Sequence, residues 1–203
     1  MQAVPMTPQT KGEQTRRAVL DAAISRFGRE GYRATSVADI ARDAKVGGTV
    51  AYAYFADKEA LFLAALDEDA AALIEEALSD AFADPDGPDW RETLFFTLVG
   101  SVERHPLAQR LLAGLEPEVT DRVLEIPALT ELRTACAERL RTEQLAGAVR
   151  ADIDPAAISN GIVAIMLSLL MSVVQFGTGA AGPYTRDVAA VFDAALGPPP
   201  VAR

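Results

Sequence analysis

Apolar residues return at a helical interval from the first third of the chain onward. Val19, Ala23 and Phe27 recur every fourth position with Leu20 and Ile24 beside them, which predicts a helix over 15–30. Gly31 is placed to end it in a left-handed conformation. Val37, Ile40, Ala41 and Ala44 form one narrow stripe, so a second, short helix follows; Thr35 or Ser36 is its N-cap, and Asp39 lies three residues after Ser36. Lys45-Val46-Gly47-Gly48 breaks the pattern, 49–55 predicts a third short helix, and Asp57 caps a long fourth helix from Lys58 to about Phe82. Two short helices joined by about four residues and braced by a longer one have helix-turn-helix spacing.

The pattern stays helical to the end. Helices are predicted over 90–103, over 107–112 ending at Gly114, in a short piece near Pro117 within 116–127, over 128–145 ending at Gly147, over 155–175 behind Asp154 and Pro155, and over 184–196. No segment alternates as a strand does, so the fold class is all-α.

In the turn region, aromatics crowd directly behind the helix breakers. A third helix over 49–55 would turn Val50, Tyr54 and Phe55 inward against Phe27, Val37 and Ile40 and leave Thr49, Tyr52 and Ala53 outside. A Tyr52 hydroxyl in that position suits a phosphate oxygen, a contact that positions without specifying; packing of Tyr52 in the core is the alternative. Lys58 in a first helical turn opposes the helix dipole unless a phosphate is near; the alternative is a solvated lysine.

Charge sharpens this picture. The 203-residue chain carries a net −10, unpromising for a polyanion partner. Residues 1–62, however, hold nine Lys/Arg against seven Asp/Glu, and the remainder ten against 22. Half the residues are hydrophobic, enough for a sizeable core. Lone Cys136 and lone His105 exclude an intrachain disulfide and argue against a zinc site. The apolar run 161–174 falls short of the ~20 residues of a membrane span. Gly47 and Gly48 lack the phosphate-loop pattern, and His105, followed at once by Pro106, reads as a surface residue at a helix start with Glu103 or Glu116 as weak partners. These features point away from an enzyme, a cofactor and a membrane partner, and toward the cytoplasm.

One series of residues goes further: Phe27, Gly31-Tyr32, Ala34-Thr35-Ser36, Ile40-Ala41, Ala44, Val46, Tyr52, Tyr54-Phe55 and Lys58-Glu59-Ala60-Leu61. With its spacing intact over residues 15–66, it resembles the N-terminal DNA-binding region of the TetR family of transcriptional repressors. The resemblance implies a helix-turn-helix head over 13–57, a helical effector-binding and dimerisation domain over 58–197, and tails at 1–12 and 198–203. It implies phosphate contacts from Thr35, Ser36, Tyr52 and Lys58, base edges near Gly48, Thr49, Val50 and Ala53, and further DNA-binding positions at Lys45 and Gly47 in the turn. Three departures stand out. Lys45 replaces a glycine, Gly47 replaces a Ser/Thr cap, and the Gly48-Thr49 pair comes one residue early.

The implied activity is that of a repressor binding a palindromic double-stranded operator as a homodimer, released by a small-molecule effector of unknown identity. Candidate pocket residues are Trp90, Phe95, Phe96, Met166 and Leu170, with Thr97, Ser101 or Asn160 as polar handles. The segment 158–174 is apolar nearly all round, hence buried all round. Paired with the last helix it implies a dimer interface through Ile162, Ile165, Leu169, Val173, Val188, Val191, Phe192 and Ala195. A related dimer that has lost DNA binding and only sequesters a ligand is the competing reading.

Overall fold

The computed structural model describes residues 10–84, 89–118 and 125–197, and among these every regular element is helical. Helix α1 (Lys11–Ala34) begins four residues before the predicted start. Thr10 and Glu13 explain this with a capping box: the Thr10 hydroxyl accepts from the Glu13 amide at 3.3 Å, and the Glu13 carboxylate accepts from the Thr10 amide at 2.7 Å. Gly31 takes the anticipated positive φ, 85°, but kinks α1 rather than ending it. Helix α2 (Val37–Asp43) starts at its Ser36 cap, as predicted.

The predicted third helix is the main difference. Residues 49–55 form only a single 3-10 turn, Ala51–Ala53, within a run of turns. Gly47, Gly48, Thr49 and Val50 are poor helix formers, no side chain caps the segment, and nothing sustains α geometry beyond one turn. The tighter winding changes which residues face inward. Ala51 and Phe55 are buried, Val50 is half-buried, and Tyr54, predicted inside, is 38% exposed.

Helix α3 (Lys58–Ala81) is capped by Asp57, whose carboxylate accepts from the Ala60 amide at 2.8 Å. Then come α4 (Trp90–Ser101), α5 (Pro106–Leu112), α6 (Pro127–Leu145), α7 (Pro155–Phe176) and α8 (Thr178–Leu196). The short helix predicted near Pro117 falls largely outside the described residues. Helix α8 starts six residues ahead of the predicted Tyr184, just after Gly177 turns the chain at φ 84°.

Helix α3 is the spine. It packs against α1 on one side and against α4, α5 and α6 on the other, while α6 carries α7 and α7 carries α8. Head and body share one continuous apolar core running from Val19 to Leu196. At the junction the rings of Phe27, Tyr32 and Phe62 meet, with Phe62 edge-on to Phe27 at 5.1 Å and to Tyr32 at 5.2 Å. The start of α5 is pinned to this spine. Buried Asp69 accepts from the Leu107 and Ala108 amides, each at 2.9 Å, and lies 3.2 Å from His105 Nδ1. His105 is therefore not the surface residue expected; it is packed between Asp69 and Glu76.

Helix α7 is 22 residues long and by length and composition could cross a membrane, longer than the run anticipated from sequence. Its inner face, including Ile162, Val163, Met166 and Leu170, is built into the core, while much of its opposite face is exposed.

Candidate nucleic-acid interface and ligand cavity

The 47–54 segment projects from the head between α2 and α3. Backbone bonds tie it down: Val50 N–H donates to Gly47 O at 2.9 Å, Ala53 N–H to Val50 O at 3.1 Å, and Phe55 N–H to Ala51 O at 3.0 Å. Gly47, Gly48, Thr49, Tyr52 and Ala53 are exposed, Tyr52 at 55%. Small side chains thus surround one protruding tyrosine. Such a surface lets backbone approach a duplex closely but offers few long hydrogen-bonding groups to base edges.

The turn preceding it is a left-handed helix stop. Lys45 N–H donates to Arg42 O at 3.1 Å and Val46 N–H to Ala41 O at 3.0 Å, the paired bonds of a Schellman motif. Its left-handed residue is Lys45, φ 57°, the only non-glycine with positive φ among the described residues. Lysine thus holds the left-handed position at which the resemblance puts a glycine.

Other expected contact residues are distributed unevenly. Ser36 is exposed, but its hydroxyl is already engaged, donating to Asp39 Oδ2 at 2.6 Å and accepting from the Asp39 amide at 3.2 Å. That hydroxyl is the leading cause holding the Asp39 carboxyl below its ordinary range. Thr35 is corrected: it is 2% exposed and its Oγ1 is buried with no partner among the described residues, so it presents no hydroxyl to a ligand. The extended backbone at Thr35 turns its side chain into the head core as the chain enters α2. Lys58 is half-exposed, its Nζ 4.4 Å from the Tyr32 ring centre and 3.5 Å from Arg33 O.

Many of the head's other cations are already neutralised. Arg26 bonds Asp43 at 2.6 Å and Glu30 at 2.8 Å, which raises its pKa through the Asp43 hydrogen bond first and lowers that of Asp43. Arg42 pairs with Asp39 at 2.8 Å, and Arg33 pairs with Glu118 from the segment after α5. Lys45 has no carboxylate partner among the described residues and stands exposed beside the protruding turn.

The body holds a cavity of about 70 Å³. Its wall is aliphatic throughout: Leu66, Ala70, Leu73 and Ile74 from α3, Leu98 from α4, Ala108, Leu111 and Leu112 from α5, Ile126, Leu129 and Leu132 at and along α6, and Val163, Met166, Leu167 and Leu170 from α7. Of the expected pocket residues only Met166 and Leu170 line it. Trp90 is buried against Phe82 at the far end of α3, ring centres 5.7 Å apart. Phe95 is buried elsewhere and Phe96 is exposed. Thr97 bonds Asp80 at 3.3 Å, Ser101 bonds Glu76 at 3.0 Å, and Asn160 is exposed. Helix α4 turns only Leu98 to the cavity; α3, α5 and α6 supply the walls that sequence reasoning missed, and their leucines carry no signal separating cavity lining from packed core.

At the expected dimer face, Ile162 is corrected as well. At 1% exposure it is packed inside its own chain, because it shares the inner face of α7 with Met166. Ile165, Leu169, Val173, Val188 and Phe192 are half-buried, and Val191 and Ala195 are exposed.

Comparison with known proteins agrees with this arrangement. Residues 19–65 match the family model of bacterial regulatory proteins, tetR family. A stretch of 63 residues is 41% identical to the A-factor receptor protein of Streptomyces griseus, spanning 31% of this chain but only 23% of that receptor. The fold is shared with a TetR-family transcriptional regulator from Pectobacterium atrosepticum, at 21% identity and a TM-score of 0.67 over 93% of this chain and 98% of the other. A gamma-butyrolactone receptor aligns at 25% identity with a TM-score of 0.51, over 95% and 92% of the two chains. The comparisons thus show a segment over residues 19–65 that is similar to the tetR family's, and behind it a helical fold shared with a TetR-family transcriptional regulator.

Proposed function

We propose that this protein is a ligand-responsive repressor that binds a palindromic operator as a homodimer and releases it when an effector enters the aliphatic cavity. Residues 13–57 act as the DNA-binding head and 58–197 as the effector and dimerisation domain, in the cytoplasm and without catalysis. The observation carrying this reading is the exposed turn 47–54, with exposed Lys45 at its base and Tyr52 at its crest. Two such turns, held by a two-fold pair, address two half-sites of one duplex. Tyr52 and Lys45 contact phosphate, Lys58 supplies a third cation, and Thr49 with the adjoining glycine backbone faces the base edges. With so few readers, DNA shape contributes to selectivity.

The half-buried Ile165, Leu169 and Val173 on the outer side of α7 and the exposed Val191 and Ala195 of α8 support pairing with a second copy. The effector is an uncharged, largely aliphatic molecule: a wall without polar side chains would leave any buried charge or polar group of a ligand unpaired. The A-factor and gamma-butyrolactone receptors are similar proteins whose names point to small ligands, which supports an effector without identifying it.

Bound fragments selected from genomic DNA provide the duplex. Its affinity should fall steeply as salt rises, as counterion release requires, and a scrambled duplex should compete poorly. A second reading, a ligand-sequestering dimer without DNA binding, draws on the strained Lys45 turn and the single-turn recognition element. An intact dimer that retards no fragment even at low salt would establish it in place of the repressor.

A further inference from the structure

Helix α5 touches both functional regions. Ala108, Leu111 and Leu112 wall the cavity, while Pro106 and Arg110, one turn apart, sit against two glycines of α1. A Cβ added at Gly28 would lie 2.7 Å from Pro106 Cβ. One added at Gly31 would meet the Arg110 guanidinium and come within 2.7 Å of Glu116 Oε1. The two glycines therefore form a notch into which α5 is keyed, and the φ of 85° at Gly31 aims the next amide outward. That amide, Tyr32 N–H, donates to Glu116 Oε1 at 3.2 Å. The same carboxylate oxygen accepts from Arg110 Nε at 2.5 Å, and Glu116 is buried. Two residues on, Glu118 grips Arg33. Behind Tyr32 the chain enters α2 within five residues, and the Tyr32 ring lies under Lys58.

The two ends of α5 are held differently. Asp69 of the spine α3 fixes the first turn through two backbone amides, whereas the far end is joined to the head through Glu116. At about 70 Å³ the cavity is well below the roughly 300 Å³ at which small-molecule sites begin. Occupancy must push a wall outward, and α5 is a short wall pinned at one end.

We infer that Glu116 is a positioning residue, a latch that joins the cavity wall α5 to the head through the Tyr32 amide, so that expansion of the cavity is transmitted to the turn that faces DNA. This rests on the reading of the cavity as the effector site and of the head as a DNA binder. By linkage the coupling runs both ways, and DNA on the head should resist filling of the cavity.

The test needs no identified effector, because a larger side chain can fill the cavity from within. Ala70→Phe, and the milder Ala70→Leu should the first fail to fold, are made in the full chain with Glu116 intact, in Glu116→Ala, and in Glu116→Gln, which retains an oxygen acceptor. Two quantities are read: amide exchange at Tyr32 against Asp39, whose amide is capped by Ser36, and affinity for the selected duplex. With Glu116 intact, the filler should speed Tyr32 exchange about tenfold with Asp39 unchanged, and weaken DNA binding about fivefold. In Glu116→Ala the filler should change both by less than twofold, and Glu116→Gln should restore most of the response. A filler that leaves Tyr32 exchange unmoved, or that acts equally with and without the Glu116 carboxylate, overturns the latch. If no duplex is bound at all, the DNA-binding reading falls, and the exchange comparison alone decides the coupling.

Discussion

Replacing Lys45 by glycine separates two roles of one residue. Lys45 occupies the left-handed position of the Schellman motif that stops α2, with φ 57°. That conformation costs an L-residue roughly 1–2 kcal/mol through Cβ crowding. Glycine removes the crowding but gives up about 0.5–1 kcal/mol through the freedom it gains on unfolding. The net expectation for Lys45→Gly is stabilisation by about 0.5–1 kcal/mol, or about 2 °C in Tm for a chain of this size. The substitution also deletes an exposed ammonium beside the protruding turn. If that ammonium contacts phosphate, each head loses one contact, and the slope of log affinity against log salt falls by about 0.9 per head, about 1.8 per dimer. The assays are thermal unfolding at one fixed protein concentration, since pairing shifts apparent stability, and duplex titration at four or more salt concentrations. Lys45→Ala is the control that removes the charge and keeps the strain. A Tm equal to or below that of the parent chain would refute the strain argument. A raised Tm with an unchanged salt slope would refute the phosphate contact and leave the strain argument standing.

Tyr52→Phe should weaken binding to all duplexes alike by about 1 kcal/mol, one lost phosphate hydrogen bond; a change in preferred sequence on randomised-site selection would contradict that role. Thr49→Ala should instead alter preference at one base position in each half-site, and a uniform loss in the same selection would count against it. Asp69→Ala strips the acceptor from two buried amides, of Leu107 and Ala108, and from His105; a loss of about 3 kcal/mol in urea denaturation is expected. The Cys136 thiol, pushed up to about 12 by burial, should resist maleimide in the native protein and react at the rate of global unfolding; rapid native labelling would show that the core between α6 and its neighbours opens on its own.

Sequence reasoning succeeded where one strong local signal dictated structure. The Ser36 and Asp57 caps and the apolar stripes of α1 and α2 are properties of a few neighbouring residues, and the structure reproduces them. It failed once by underweighting local helix breakers, and otherwise where geometry depends on distant packing. Residues 49–55 had enough apolar positions for a helix, yet Gly47, Gly48 and two β-branched neighbours left only one 3-10 turn, which sent Tyr54 outward and Ala51 inward. Trp90 and Phe95 were attractive pocket candidates for their size, but the orientation of α4 is set by its contacts with α3, which aim Leu98 at the cavity instead. Ile162 and Leu169 are equally apolar, and only the seating of α7 on α6 decides that the first faces inward. The head–body latch was illegible for the same reason: Tyr32 and Glu116 lie 84 positions apart, and no local pattern joins them.

The central claim is that the exposed turn 47–54 is what meets DNA. Backbone amide NMR of the full chain, titrated with the selected duplex, tests it most directly. The account predicts the largest shifts at Gly48, Thr49 and Tyr52, with Lys45 and the start of α2 next and the outer faces of α7 and α8 unmoved. Saturated binding with those turn amides undisturbed, and the shifts gathered on the body instead, would contradict it.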